Sequence, residues 1–299
     1  MIQEFTITRK FYQPTDPRLK RHVNHDSRSL NYPVQAAPDP TKLKSVRHER
    51  FIPILDQKKL GSCTGNAGTY NLAMGIFWDT VQDLVTAGKL SASNATLDEQ
   101  YAIDLYSAAT KIDPFGGTYP PTDTGSDGLS IAKVLKAWGR ISGYQHALSL
   151  EAALTALAEK AVIAGIPWFD DMFYPNSQGQ LKITGSLAGG HEIVLSELDV
   201  ENRRVWLDNQ WNESWGQKGR AWLTWDDFGT LMHQQGDVTV FTPNNKPAPT
   251  PTPPQPQPEP KPTPPAPPTP PQPTPEDEFN LAAKAFAPAL DKYLKHLNA

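Results

Sequence analysis

The order of segments predicts an α+β protein of two lobes, helical first and antiparallel β second, with a cleft between them. Three observations carry this. Runs with helical spacing fill the first half of residues 46–242, short apolar or alternating runs fill the second half, and the two sets do not intermingle.

In chain order, residues 1–45 carry many charges, several prolines and weak periodicity, and read as an extended arm with one edge strand. CTGNAGTYNLAMGIFWDTVQDL reads as one long, buried helix whose Gly65, Gly68 and Gly75 imply close backbone packing. A second helix is expected from Thr96, which has capping-box spacing to Glu99, through EQYAIDLYSAAT. LSIAKVLKAW and LEAALTALAEK supply two more helices, and AVIAGIPW, EIVLSELD, RRVWLDNQW, RAWLTW and DVTVFT read as strands.

Residues 46–242 thus form the folded domain. In residues 243–275 more than half the positions are proline, which predicts a polyproline II linker of roughly 100 Å at about 3.1 Å per residue. In residues 276–299, Phe286, Leu290, Tyr293, Leu294 and Leu297 recur at helical spacing, so a short amphipathic helix that docks on a protein partner is expected.

Composition excludes several classes. A net charge of −4 with evenly scattered charges offers no phosphate-binding stripe, so nucleic acid is not expected as a partner. No run has the length of a signal peptide or a membrane span, which points to a cytoplasmic or virion-associated protein. The single cysteine cannot form an intramolecular disulfide and invites a chemical explanation. No metal or other cofactor is expected.

Cys63 sits where the loop DQKKLGS meets the first helix, beside free amide groups and the positive end of the helix dipole, a position that lowers a thiol pKa. A thiolate nucleophile needs an imidazole partner. Of seven histidines, His22, His25 and His48 lie in or beside the charged arm, His146 near a turn, His296 in the tail and His233 in a loop or helix end. His191 stands at the mouth of a strand after two glycines. Asn209 on the next strand can orient the ring, with Asp208 as its rival, and Trp211 can shield the bond. The backbone amide of Cys63 and the side chain of Gln57 are candidate oxyanion donors.

DQKKLGSCTGNA, GGHEIVLSELD and LDNQWNESWGQKGRAWL, in that order, resemble the active-site blocks of papain-like cysteine peptidases over residues 46–242. Thr64 after the cysteine resembles a short bacterial or phage-type subset, without a long propeptide, whose motif reads GSCT. The resemblance implies Cys63 as nucleophile, His191 as base and then acid, Asn209 as orienter, Gln57 as oxyanion donor, and Trp211 and Trp215 as aromatic walls. It also points to Gly128 as the edge that pairs with the backbone of a peptide substrate. Glu192 replaces the small residue usual after the histidine; it is expected to raise the imidazole pKa or to select basic substrates. The implied activity is hydrolysis of peptide bonds in a peptide or protein. A cell-wall peptide amidase using the same residues, and a phage-particle interaction protein displaying the domain on its stalk, are the alternatives.

Overall fold

A computed structural model describes residues 9–25, 33–37, 39–91 and 95–244, all within the unit Met1–Pro249. The expected linker beyond Asn244 and the expected C-terminal helix lie outside the described residues.

The arm contributes two short strands, β1 (Arg9–Lys10) and β2 (Val23–Asn24), paired antiparallel, and the domain opens with β3 (Val46–Arg47). The expected long helix is two helices, α1 (Cys63–Leu72) and α2 (Gly75–Thr86). Incoming residues 49–51 compete for the backbone at the break: Gly75 N–H donates to the Glu49 carbonyl and Phe51 N–H to that of Ala73. The chain turns there through Gly75 at φ +48°, a conformation that costs other residues a steric penalty.

Helix α3 (Glu99–Thr110) starts two residues later than the Thr96 cap would place it, because Asp98 accepts the Tyr101 N–H at 2.9 Å. Helices α4 (Gly128–Ala137) and α5 (Leu150–Glu159) are capped in the same way by Asp127 and Ser149. Between them lies β4 (Gly143–Ala147), a strand hidden in the sequence by its polar composition, GYQHA.

The strand-rich half supplies β5 (Val162–Phe169), β6 (Leu187–Asp199), β7 (Arg204–Asp208), β8 (Arg220–Thr224) and β9 (Asp237–Thr242). Helix α6 (Trp225–His233) intervenes; Thr224 caps it by accepting the Asp227 N–H, with two aspartates in its first turn. The segment ending in LMH is therefore helical, and His233 is its last residue.

All seven strands of the main sheet pair antiparallel, in the order β4-β9-β5-β6-β7-β8, with β3 also on β6. Side-chain alternation divides the interior into two cores. Val162, Ala164, Ile166, Ile193 and Leu195 join Leu207, Leu223 and Phe228 in one. Ile163 and Val194, from the intervening positions, join Tyr70, Leu105, Ile131 and Leu135 of the helices in the other. Strands β5 and β6 thus form the wall between the lobes. No helix of the described residues is long and apolar enough to cross a membrane.

Candidate active site

Every residue of α1 is buried, so Cys63 at its first position is held by the whole helix. Gln210 fastens this end to the sheet, donating from Nε2 to the Glu192 carbonyl at 2.8 Å and to the Cys63 carbonyl at 3.5 Å. The Cys63 sulfur accepts from the backbone amides of Glu192 and Thr64, which sets the thiol beside the residue that follows His191. The lowered thiol pKa expected from the helix terminus is not found. Cys63 is fully buried, and burial pushes its pKa up to about 12, outweighing both amides.

His191 lies on β6 with no exposed surface. Its Nε2 pairs with Asn209 Oδ1 at 2.8 Å, and the Gln210 N–H donates to that same oxygen at 3.0 Å, which fixes the amide as an acceptor. Nε2 is therefore the protonated nitrogen, and the neutral ring keeps its lone pair at Nδ1, which has no hydrogen-bond partner. Asn209 is anchored through its own N–H to the Gly219 carbonyl. Asp208, the rival orienter, points to the opposite side, where it meets Arg50, Ser196 and Arg220.

Aromatic rings close the space around the imidazole. Trp211 stacks on it with centroids 4.7 Å apart, Trp168 meets it edge-on at 4.8 Å, and Trp215 meets Trp211 edge-on at 5.6 Å. Burial pushes the His191 pKa down to about 3; the Asn209 bond opposes this and the Arg18 cation adds to it. The expectation that Glu192 raises the imidazole pKa is not met, because consecutive strand residues face opposite sides of β6.

A stability profile follows. A histidine near 6.5 when unfolded and near 3 when folded favours the folded state fully above pH 6.5, and that contribution is lost as pH falls toward 3. Between pH 6.5 and 4 the expected loss from His191 is on the order of 3 kcal/mol. Urea midpoints across this range should fall in the wild type and fall less in His191→Gln; parallel profiles would refute the assignment.

Gln57 is held by a short backbone pairing of its loop with residues 210–212, including Gln57 N–H to the Gln210 carbonyl at 3.0 Å. Its Oε1 accepts from Trp211 Nε1 at 3.1 Å, which aims Nε2 the other way. That amide donates to the Leu60 carbonyl at 2.7 Å and to the carbonyl of Arg18, in the arm, at 3.2 Å.

The arm therefore runs over the site. Lys20 and Arg21 form parallel bridges to Gly190 and Ser126: Arg21 N–H donates to the Gly190 carbonyl, His22 N–H to that of Ser126, and Ser126 N–H to that of Lys20. The Arg18 guanidinium lies 4.1 Å from the Trp211 ring centroid, and Leu19 is buried in the β core. On the helical lobe the arm thus pairs with Ser126, two residues before Gly128. Gly128 begins α4, and its α-carbon faces the Glu192 carboxyl and Thr239.

The sequence reading missed Arg18, Arg21, Ser126 and Asp237. Arg21 is fully buried between Glu192 and Asp237, and His25, set aside as an arm residue, lies 3.4 Å from Asp237. The only signal was the unusual carboxylate after His191. His22 and His146, also set aside, are buried, and His48 bonds the Leu157 carbonyl at 2.7 Å.

No protein-family model and no curated protein sequence matches the chain. Solved structures do. Xylellain, a cysteine protease from Xylella fastidiosa, is 16% identical, with 82% of this chain and 100% of that chain covered and a TM-score of 0.51. ProCathepsin B S9 from Trypanosoma congolense is 13% identical, with 77% and 88% covered and a TM-score of 0.51. At such identities the likeness speaks to architecture, and the architecture is that of the papain-like cysteine proteases.

Proposed function

We propose that the chain is a cysteine peptidase whose nucleophile is Cys63 and whose base is His191. The observation that supports this most is the tautomer: a donor bond to Asn209 leaves Nδ1 as a bare acceptor on an imidazole next in sequence to Glu192, whose amide touches the Cys63 sulfur. Asn209 holds the ring, and Trp211 and Trp168 keep water from the bond.

In the reaction, His191 takes the thiol proton and the sulfur attacks the peptide carbonyl carbon. The oxygen of the tetrahedral intermediate is held by the Cys63 amide and Gln57 Nε2. Collapse expels the amine, which takes the proton from His191, and leaves an acyl-enzyme thioester. Water, deprotonated by His191, then releases the acid and restores the thiol.

The Arg18 carbonyl occupies the Gln57 amide that this chemistry requires, and Cys63 is fully buried beside it. Release of the arm is therefore part of the proposed cycle. Its departure rehydrates the site, lets the imidazole rise and the thiol fall, and so favours the thiolate–imidazolium pair that burial suppresses.

The test is a thiol-directed peptidyl epoxide followed by mass mapping. Stoichiometric labelling of Cys63 in the wild type, slowed in both His191→Ala and Asn209→Ala, is the expected result. Equal labelling in all three folded proteins would overturn the reading.

A further inference from the structure

Arg21 enters a pocket that is acidic on two sides. Its side chain has no exposed surface; Nη2 pairs with Asp237, Nε lies 3.8 Å from Glu192 Oε2, and Nη1 donates to the Gln235 carbonyl at 3.2 Å. Apart from this ion pair, neither Glu192 oxygen has a hydrogen-bond partner among the described residues. Gly165 on β5 supplies the remaining wall, and the three atoms nearest to a β-carbon placed there all belong to the Arg21 guanidinium group.

The pocket lies beside the cleft, because the Arg21 backbone is clamped between Gly190 and Ser126 and Arg18, three residues earlier, puts its carbonyl on the Gln57 amide. Those clamping bonds are backbone to backbone and read no side chain. A peptide that replaces the arm can use the same clamps, and its identity is read where a side chain descends, in this pocket.

An emptied pocket would hold two buried carboxyl groups; burial, Asp237 and the nearby buried Asp127 push the Glu192 pKa well up, and the Arg21 cation opposes them. Such groups demand a cation. Two acceptors set apart suit a planar, forked guanidinium better than a point-charge ammonium. His25 and His146 also face Asp237, and Thr239 bonds His146, so the Asp237 side carries histidines, while Asp127 is a further acidic group beside Glu192.

We propose that this pocket is a specificity subsite for an arginine side chain of the substrate, with Glu192 and Asp237 as its readers and Arg21 as its tethered occupant. The inference rests on the peptidase reading given above, and its test separates the two.

Peptidyl epoxides differing only by arginine or leucine, with that residue placed at each of the three positions before the warhead, are applied to the full-length protein. At one position the arginyl probe should label Cys63 about 30-fold faster or more, and Glu192→Gln with Asp237→Asn should cut that preference at least about tenfold. Separately, N-acetyl-arginine methylamide should raise the melting temperature of Arg21→Ala saturably, and its leucine counterpart should not. If Arg21→Ala does not fold, the probe ratio on the wild type decides.

Equal labelling by both probes at all positions overturns the subsite and leaves the peptidase standing. No labelling by any probe, with saturable stabilisation of Arg21→Ala by the arginine derivative, overturns the peptidase and retains an arginine-binding pocket.

Discussion

Replacing His191 by Ala is expected to lower kcat/KM for peptide hydrolysis by at least about 10²–10⁴, the contribution typical of a positioned general acid and base. In the proposed mechanism the substitution removes the acceptor that takes the thiol proton and the donor that protonates the leaving amine. Asn209→Ala leaves both functions on the ring but frees its rotation and tautomer, so its loss should be smaller and should fall mainly on kcat. Cys63→Ala should abolish turnover, and combining it with His191→Ala should cost nothing more. The assay is hydrolysis of a fluorogenic peptide by variants with matched melting temperatures. Retention of more than about a tenth of the wild-type rate in His191→Ala would remove the imidazole from the chemistry.

Gly190→Ala is expected to eject the arm. The three atoms nearest to an added β-carbon are the Arg21 carbonyl oxygen and two Tyr12 ring carbons, all in the arm, and the strand backbone at Gly190 is not in a glycine-only conformation. Overpacking of this kind costs roughly 1–3 kcal/mol, enough to raise the open population about 5- to 150-fold. Hydrogen exchange should show protection lost at the Arg21, His22 and Ser126 amides while the β5–β6 pairing keeps its own. Alkylation of Cys63 by iodoacetamide should accelerate by the same factor. Unchanged exchange at those three amides would mean that the arm does not close over the cleft in solution.

The parts of the site legible in the sequence were those whose meaning is local. Cys63 at a loop-to-helix junction, His191 behind two glycines and Asn209 two positions before a tryptophan each carry their context within a few residues, and the structure brings His191 and Asn209 into contact. Helix and strand identities were legible wherever one face is apolar. The break at Gly75 was not, because it depends on residues 49–51 arriving from elsewhere. β4 was not, because its pairing with β9 rather than its composition makes it a strand.

The arm was the least legible. A charged segment with weak periodicity reads as solvated, yet Arg21 finds Asp237 across 216 positions and Lys20 finds Asp123 across 103. No local pattern records such pairings. The thiol pKa failed for a related reason: the dipole at the start of α1 is local, whereas the cover that desolvates Cys63 comes from the rest of the fold.

Because the occupant of the cleft is part of the same chain, its competition with substrate is a first-order matter. A tethered segment acts at an effective concentration fixed by its connection, in the millimolar range for a short flexible link, whatever the concentration of the protein. Dilution therefore cannot free the Gln57 amide from the Arg18 carbonyl. The same residues supplied as a separate peptide would have to reach that concentration to do what the covalent tether does continuously. Cutting the chain between His25 and Val46 would turn a permanent competitor into one that diffuses away.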